Sequence, residues 1–308
     1  MKKPRIAVVG SVNVDMVVKS ERIPAPGETV TGGQFVMAAG GKGANQAVAA
    51  ARLGAEVVLI AKVGQDMFGQ QSIDNYKREG IDTSYVMRDP QNATGVALIM
   101  VDRNGENSIS VASGANHALT AAEIDAAAEA IRAADVLMLQ LEVPLECVLR
   151  AAQLAAEAEV PVILNPAPAV PLPDELLSNV SYLTPNESEA SLLAGVTVTD
   201  ESSARAAARQ LLSRGVRCVI ITLGAKGALV IDQRRDVLVP AYKVEAKDTT
   251  AAGDAFNGGL ACALARGMAL EDAVREANLV GAFSVTRLGA QPSLPTVEEL
   301  RQFAAAVR

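Results

Sequence analysis

One carboxylate lies among very small residues at positions 248–259, where the sequence reads DTTAAGDAFNGG. Ala251, Ala252 and Gly253 leave their backbone N–H groups open to a ligand, and helical spacing of apolar residues follows at Phe256 and Leu260. A phosphate bound to those N–H groups would bring Asp254 close enough to accept a proton from an attacking hydroxyl, which predicts phosphoryl transfer. The alternative is that Asp254 only caps a helix.

The second candidate is the glycine-rich run GGKGAN at positions 40–45. It resembles a phosphate loop, but Gly43 stands where such a loop needs a hydroxyl for magnesium, and neither G-x-G-x-x-G nor G-x-x-x-x-G-K-[ST] occurs in the chain. Gly41 and Gly43 would let a polar ligand approach the backbone, and Lys42 and Asn45 could donate hydrogen bonds to sugar hydroxyls. The other interpretation is a glycine-rich start of a helix without a ligand.

Polar residues also follow two predicted strands. Asn13 and Asp15 come after the first strand, at a spacing that puts both on one face of an extended chain, and Glu142 follows the strand predicted at 136–141. Ligands of open parallel sheets bind at the carboxyl ends of strands, so these carboxylates and donors suit a polyol. Each could instead be a solvated loop residue.

Two further segments follow strands. In TPNESE (184–189), Asn186 and Glu189 have the spacing of a capping box, or they order magnesium and phosphate oxygens through water. The glycines of TLGAKG (222–227) let the backbone reach a nucleotide phosphate, or form a tight hairpin.

The elements that must position these residues alternate along the chain. Continuous apolar runs predict strands, and alanine-rich amphipathic segments predict the helices between them. The predicted strands are 5–10, 57–61, 136–141, 160–164, 180–183, 216–222, 228–232 and 236–239, and the predicted helices are 44–53, 121–133, 145–158, 203–213, 255–265 and 270–286. This order indicates a mostly parallel sheet covered by helices on both faces.

Two regions, 16–37 and 94–111, break the alternation and look like antiparallel ribbons. They flank the candidate polar residues, so we expect a small β lid over the mouth of the main sheet, with ordinary edge hairpins as the alternative. Residues 1–308 are expected to form a single α/β domain with this appendage.

The composition excludes several classes of function. A net charge of −7 with scattered Lys and Arg argues against a nucleic-acid surface, and 3% aromatic residues without Trp argue against base-stacking platforms. Cys147, Cys218 and Cys262 lie in apolar patterns and are predicted to be reduced core residues, and His117, the only histidine, is predicted to be exposed. Residues 1–4 do not resemble a signal peptide and no stretch is long enough to span a bilayer, so we expect a cytoplasmic protein without a membrane or nucleic-acid partner.

Taken in order, these motifs resemble the ribokinase (PfkB) family of carbohydrate kinases over nearly the whole chain. The two signature regions are 39–45 and 248–259, and similar stretches occur at 10–15, 26–30, 41–47, 139–142, 165–168 and 289–293. The resemblance implies a three-layer αβα sandwich with a mostly parallel central sheet and a small antiparallel β lid. It also implies a homodimer formed through the lid sheet.

The activity implied by the resemblance is ATP-dependent phosphorylation of D-ribose at O5, with Asp254 as base and the amides of residues 251–254 as the anion hole. The residues that would hold the sugar are Asn13, Asp15, Gly41, Lys42, Gly43, Asn45, Glu142 and Asp254. Those that would line the ATP site are Asn186, Thr222, Gly224, Lys226, Gly227, Gly253 and Asn278. Glu189 would support Mg²⁺ through water, and an activating K⁺ would bind at Asp248, Thr250, Ser284, Arg287, Gly289 and Ser293.

Three alternatives remain. The same fold could phosphorylate another sugar or a nucleoside, such as 2-deoxyribose, fructose or adenosine. A catalytically silent sugar sensor would be expected to lack Asp254 or the glycine before it, and both are present. A nicotinamide oxidoreductase is disfavoured because the dinucleotide fingerprint is missing.

Overall fold

The computed structural model describes residues 3–307. Met1 and Lys2, two of the residues that were predicted not to form a signal peptide, lie outside this range, as does Arg308. The strands of the described range are β1 (Arg5–Val9), β2 (Asn13–Lys19), β3 (Gln34–Gly40), β4 (Glu56–Gly64), β5 (Asp82–Asp89), β6 (Gly95–Val101), β7 (Asn107–Ala112), β8 (Val136–Leu139), β9 (Val162–Leu164), β10 (Tyr182–Leu183), β11 (Cys218–Thr222), β12 (Ala228–Ile231) and β13 (Asp236–Val239).

Helices connect most of these strands. They are α1 (Lys42–Arg52), α2 (Met67–Arg78), α3 (Ala121–Ala126), α4 (Ala128–Arg132), α5 (Leu145–Glu157), α6 (Asp174–Leu177), α7 (Glu187–Ala194), α8 (Glu201–Ser213), α9 (Ala252–Ala265), α10 (Leu270–Ser284) and α11 (Val297–Ala306).

The main sheet has the order β13-β12-β11-β10-β9-β8-β1-β4-β5. From β11 to β5 all neighbouring strands are parallel, and only β12 and β13 run antiparallel to their neighbours. Successive residues of a strand face opposite sides, so β1 contributes Ile6 and Val8 to one apolar core and Ala7 and Val9 to the other. The first core is completed by α1, α9 and α10, and the second by α3, α5 and α8. The expected mostly parallel αβα sandwich is confirmed.

A separate four-stranded sheet has the order β3-β2-β6-β7. The β2–β3 and β6–β7 pairs are antiparallel, as expected for the two ribbons, but the ribbons join through a parallel β2–β6 pair. This small sheet is therefore mixed and not purely antiparallel. Its strands occupy the two ends of the region 16–37 and most of the region 94–111, while the lid function and the single-domain boundary stay predictions.

The predicted elements of the main sheet are present, and the structure differs from the prediction at several points. The segment 121–133 was expected to be one helix, but it forms α3 and α4, which meet at Ala127. A third closing helix, α11, follows the two that were expected. The α2–β5 unit was also absent from the prediction. Most residues of α2 are polar, and its buried apolar face includes only Ile73 and Tyr76 as large side chains, so the sequence shows little helical periodicity there.

The individual residues that the composition singled out agree with their predicted environments. Cys147, Cys218 and Cys262 are buried and free of disulfides, and His117 is exposed on a short 3-10 turn. Between residues 3 and 307, no helix has both the length and the apolar character needed to cross a bilayer.

Candidate active site

The candidate residues gather where the parallel strands end. Glu142 follows β8, Asn165 follows β9, Asn186 follows β10, and Thr222 is the last residue of β11. The carboxyl ends of parallel strands meet at one edge of the sheet, so residues far apart in sequence border the same space. Asn13 and Asp15 reach this edge from β2 of the small sheet.

The start of α9 differs from an ordinary capped helix. Its N-cap is Ala251, in the left-handed conformation with φ of 58°, and no side chain caps it. Ala252 N donates to Thr249 O at 3.2 Å. Asp254, in the first turn, directs its carboxylate to α1, so it does not act as the cap. The first N–H groups of a helix have no acceptor within that helix, so this turn provides donors suited to an anion.

Asp254 is buried and held by amides on both carboxylate oxygens. Asn45 Nδ2 lies 3.0 Å from Oδ2, and Gln46 Nε2 lies 3.0 Å from Oδ1. Burial is the largest influence and raises the pKa of Asp254; Lys42 and the two amide donors act against it, and Glu142 adds to it. The group is therefore a better base than a solvated aspartate, while the amides and Lys42 favour its ionised form.

The start of α1 is packed closely against the chain that leaves β1. Gly41 is its N-cap with φ of 90°, and a Cβ there would come within 2.7 Å of Asn13 N. Lys42 N donates to Glu142 Oε2 at 3.1 Å, and Gly43 N donates to Ser11 Oγ at 3.3 Å. The glycines thus bring the backbone of α1 against β2 and the loop after β8.

The charges of four acidic residues act on Lys42. Burial lowers the pKa of Lys42, but Asp254, Glu142, Glu189 and Asp15 together raise it above its ordinary value. Burial, with the charges of Glu142 and Asp254, raises the pKa of Asp15 to about 6. The structure therefore brings these predicted residues into one electrostatically coupled cluster.

Ser11 and Asn116 are among the residues that support this cluster and were missed by the sequence analysis. Ser11 Oγ donates to Glu142 Oε2. Asn116 Nδ2 donates to Asn13 Oδ1 at 2.8 Å, and its Oδ1 accepts from Val12 N at 2.9 Å. Ser11 lies within the motif at 10–15 and could have been found there, whereas Asn116 is brought to Asn13 only by the tertiary fold.

Two cavities meet at the start of α9. The larger, of about 770 Å³, runs over α10 and the segment 241–246, and the smaller, of about 210 Å³, contains Asp254, Lys42 and Glu189. Residues that line both cavities are Asn186, Thr222, Thr249, Ala252 and Gly253. A Cβ at Gly253 would meet no heavy atom within 4 Å, so the backbone there borders open space.

Most of the residues expected to line an ATP site lie along the larger cavity. Asn186, Thr222, Gly224, Gly227, Gly253 and Asn278 line it. Lys226 lies on the 3-10 turn Gly224–Lys226 but is not part of the lining. Tyr242, Lys243, Val244 and Phe256 are also among the lining residues. The first three were missed because their irregular segment has no motif or periodicity.

Asn186 and Glu189 form the predicted capping box of α7. Asn186 Oδ1 accepts from Glu189 N at 2.8 Å, and Glu189 Oε2 accepts from Asn186 N at 2.8 Å. Burial raises the pKa of Glu189, and the hydrogen bond from Asn186 and the charge of Lys42 act against it. The same carboxylate lines the smaller cavity, so the capping role leaves it beside Lys42 and Asp254.

The residues expected around a monovalent cation are partly linked through Asp248. Its Oδ1 accepts from Thr250 N at 2.9 Å and its Oδ2 from Gly289 N at 2.8 Å. Burial acts to raise the pKa of Asp248, but these hydrogen bonds lower it below its ordinary value. The backbone N–H of Asp248 donates to Val285 O at 3.2 Å. The carboxylate and the backbone N–H of Asp248 therefore join the loop before α9 to the chain that follows α10.

The remaining members of this set make local contacts, and Arg287 also donates from Nη1 to Glu299 Oε1 at 2.8 Å. Ser284 Oγ donates to Gly281 O at 2.8 Å, and Ser293 Oγ donates to Ala290 O at 2.8 Å. The Arg287 guanidinium lies 4.3 Å from the Phe283 ring centroid. Within residues 3–307, no group of three or more His, Cys, Asp or Glu side chains is arranged to hold a metal ion.

Comparison with known proteins agrees with this geometry. The family model for pfkB family carbohydrate kinases matches residues 3–297. The chain is 46% identical to the ribokinase of Haemophilus influenzae over 298 residues, 97% of each chain, and 42% identical to the deoxyribokinase of Salmonella typhi over 97% of this chain and 98% of the relative. Among solved structures, Arabidopsis thaliana ribokinase complexed with ribose and ATP has a TM-score of 0.92 at 32% identity, covering 98% of this chain and 99% of that one. The chain belongs to the pfkB family of carbohydrate kinases.

Proposed function

We propose that this protein transfers the γ-phosphoryl group of ATP to the O5 hydroxyl of D-ribose, giving D-ribose 5-phosphate and ADP. The observation that carries the proposal is the meeting of two cavities at Gly253 and the first turn of α9, with Asp254 inside the smaller one. The ribokinase names of the Haemophilus influenzae and Arabidopsis thaliana relatives support the choice of ribose.

In this proposal the smaller cavity and the adjoining polar cluster receive the sugar. Asp15 and Glu142 accept hydrogen bonds from its hydroxyls, while Asn13, Lys42 and Asn45 donate to its oxygens. Gly41 and Gly43 let the start of α1 pack against the backbone of residues 10–13, which places Lys42 and Asn45 beside Asn13 and Asp15 for contact with the sugar. Removing water from this cluster strengthens each charged hydrogen bond, so the sugar is held in one orientation.

The transfer itself needs one base and one set of donors. The sugar O5 forms a bond to the γ-phosphorus as the bond from that phosphorus to the β–γ bridging oxygen breaks, and ADP leaves. The O5 proton passes to Asp254, and the N–H groups of residues 251–254 stabilise charge on the transferred phosphoryl oxygens. Because the transition state is loose, positioning and charge neutralisation contribute more than the strength of the base.

The larger cavity would hold ATP, with Asn278 and the 222–227 turn against the nucleotide. The donor set fits Mg²⁺ bound with the nucleotide, because Glu189 is a carboxylate inside the smaller cavity and next to the shared wall. Glu189 would support the ion through water, and the ion would supply charge neutralisation at the phosphates when bound. Asn186, by capping α7, fixes the position of Glu189.

We also propose a K⁺ site at Asp248, Thr250, Ser284, Arg287, Gly289 and Ser293. The oxygen-rich chemistry of the segments joined by Asp248 suits a hard monovalent cation. Thr250 would contribute its backbone carbonyl. The bound ion would order residues 248–251 at the start of α9 without touching the substrate.

The small sheet supports a homodimer. Val36, Val17, Ile99 and Ile109 are register partners across its four strands, and the side chains of Val36 and Ile109 are 49% and 55% exposed. Clustered exposed apolar residues are typical of an interface between protein chains. The buried free cysteines and the use of ATP agree with a cytoplasmic location.

A second candidate acceptor is 2-deoxyribose, because a deoxyribokinase is among the relatives. ADP release from the purified protein with ATP, Mg²⁺ and K⁺ would be measured against ribose, 2-deoxyribose, fructose and adenosine. Ribose should give the highest kcat/KM. Preference for another acceptor would keep Asp254 and the anion hole but reassign the sugar residues, and no turnover with any acceptor would support a silent sensor.

A further inference from the structure

A line of buried side-chain amides ends on the Asp254 carboxylate. Gln46, fully buried on α1, donates from Nε2 to Asp254 Oδ1 at 3.0 Å and to Asn165 Oδ1 at 3.2 Å. Its Oε1 accepts from Gln140 Nε2 at 2.6 Å. Gln140 is also fully buried. Neither glutamine belongs to the polar residues that were expected to contact sugar or nucleotide.

The carboxylate determines the direction of each amide in this line. An ionised carboxylate only accepts hydrogen bonds, so Gln46 must turn Nε2 toward Asp254 and Oε1 away from it. Gln46 Oε1 then requires a donor, which Gln140 Nε2 provides. Gln140 Oε1 is left buried and, within residues 3–307, without a hydrogen-bond partner. The unsatisfied group thus lies at the end of the line farthest from Asp254.

The local backbone makes room for that oxygen. A Cβ at Gly10 would collide with Gln140 Oε1 and would also lie 2.7 Å from Gly43 Cα. Glycine at this position therefore lets Gln140 keep the orientation that presents its amide nitrogen to Gln46. A buried polar atom without a partner is costly, and its presence in a packed core calls for an explanation.

Sugar binding would affect the hydrogen bonds that Asn45 and Gln46 donate to Asp254 differently. Asn45 donates to Asp254 Oδ2, and it belongs to the proposed sugar contacts. A sugar hydroxyl approaching Asp254 must compete with this donor for the carboxylate. Gln46 lies behind Asp254, between Asn165 and Gln140, so its hydrogen bond can persist while the hydroxyl is bound.

We propose that Gln46 is a positioning residue that holds Asp254 in place and ionised during catalysis, and that Gln140 acts through Gln46 by fixing the direction of its amide. The inference deepens the proposed function and rests on Asp254 being the base. A hydrogen bond donated to a carboxylate favours its charged form. Loss of the Gln46 donor therefore leaves a buried Asp254 that takes up a proton more readily.

Several charged groups face Asp254 and set the background for this effect. Lys42 on α1 favours the ionised form, while Glu142 after β8, Asp15 on β2 and Glu189 on α7 oppose it. None of them is altered by substitution of either glutamine. Burial raises the pKa of Asp254, and the donors Asn45 and Gln46 lower it. Removing one donor should therefore move the acid limb of the activity profile to higher pH.

The test is the pH profile of kcat, at saturating ribose and ATP, for wild type, Gln46→Met, Gln140→Met and the double variant. For Gln46→Met we expect the midpoint of the acid limb to move to higher pH by about one unit and kcat at neutral pH to fall by roughly tenfold. The KM values for ribose and ATP should stay within about threefold of the wild-type values. Gln140→Met should shift the limb in the same direction by less. The double variant should match Gln46→Met, since Gln140 acts only through Gln46.

The control is Ser181→Ala, which removes another buried hydrogen bond, from Val162 N at 3.1 Å, at the amino ends of β9 and β10. It should lower the unfolding temperature without moving the acid limb. An unmoved limb in Gln46→Met, or additive effects in the double variant, would overturn the inference. If Gln46→Met does not fold, an unmoved limb in Gln140→Met overturns it. Absence of ribose-dependent ADP release in wild type would count against the proposed function, separately from the role of the glutamines.

Discussion

The Asn45 side-chain amide lies 3.0 Å from Asp254 Oδ2, although 209 residues separate the two in sequence. This hydrogen bond joins the glycine-rich start of α1 to the first turn of α9. Because Gln46 donates to the other oxygen, the carboxylate has a fixed orientation before any ligand binds. In the proposed reaction an incoming hydroxyl would meet a carboxylate that is already positioned, which would reduce the entropic cost of reaching the transition state.

Replacing Asp254 by asparagine should remove the proposed base with little change in shape. We expect kcat to fall by roughly 10²–10⁴, while ribose affinity changes by less than about tenfold. Steady-state ADP release and calorimetric ribose binding measure the two effects. A near-normal kcat would contradict the role of Asp254.

Gly253→Ala should separate stability from activity. The residue is in the first turn of α9, and a Cβ there meets no heavy atom within 4 Å. Alanine should stabilise the helix by about 0.5–1 kcal/mol. The same methyl group would extend into the space where the two cavities meet, so kcat should fall by roughly 10- to 100-fold through misplacement of the phosphoryl group. Unfolding temperature and kcat are measured on the same sample, and unchanged activity would exclude a phosphate against this backbone.

The free energy of unfolding of the sugar-free protein should depend on pH through the ionisation of Asp15. Its pKa is raised from 3.8 to about 6 by burial, Glu142 and Asp254. A raised pKa in the folded state means that the stabilising contribution is complete below the unfolded-state value and is lost as pH rises through the folded-state value. Unfolding free energy should therefore decline between about pH 4 and pH 6 by on the order of 1–3 kcal/mol from this group.

The Asp15→Asn variant should lack that decline. Without ribose it should be more stable than wild type at pH 8 and similar near pH 3.5, because wild-type Asp15 is neutral at the lower pH. Ribose affinity should fall by roughly tenfold or more, since an ionised acceptor is lost. Denaturant titrations at both pH values and ribose binding at pH 8 give the comparison. Equal stability of the two proteins at pH 8 would rule out an unfavourable charge at Asp15.

Sequence alone reached the main architecture because its signals are local. The apolar run of β1 and the alanine-rich pattern of α1 each define an element within about ten residues, and the order of such elements determines the class of sheet. The motifs containing Lys42 and Asp254 were also found locally, since small residues next to a polar group at a helix start have few structural explanations. The roles of these residues stay predictions until they are tested.

The contacts that orient the site could not be predicted from the sequence in the same way. Gln46 sits in an alanine-rich helix and Gln140 at the end of an apolar strand, where each looks like a single polar residue. Their partners are 208 and 94 residues away, so only the packed fold identifies them. Tyr242 in the larger cavity was missed for a related reason, because the irregular segment that carries it has no periodicity.

Activity should depend on a monovalent cation through Asp248. Replacing K⁺ by tetramethylammonium should lower kcat, because that ion is too large for the oxygens around residues 248–251 and 289. Asp248→Ala should reduce the response to K⁺, since it removes the acceptor that joins Thr250 N to Gly289 N. The measurement is ADP release across a K⁺ titration at constant ionic strength. Equal rates in both salts would remove the proposed cation site and leave Asp248 as a loop-joining residue.

Charge on the small sheet should dissociate the proposed dimer. Ile109 is 55% exposed and pairs in register with Ile99, while Val36 and Val17 continue the same row across the sheet. Ile109→Lys places an ammonium group in this apolar row, where burial against a second copy would strip its water. Leu192→Lys is the matched control, because Leu192 is 54% exposed on α7, outside the small sheet. Light scattering after size exclusion should give a dimer for wild type and Leu192→Lys and a monomer for Ile109→Lys. A monomeric wild type would exclude the dimer, and a dimeric Ile109→Lys would move the interface away from this row.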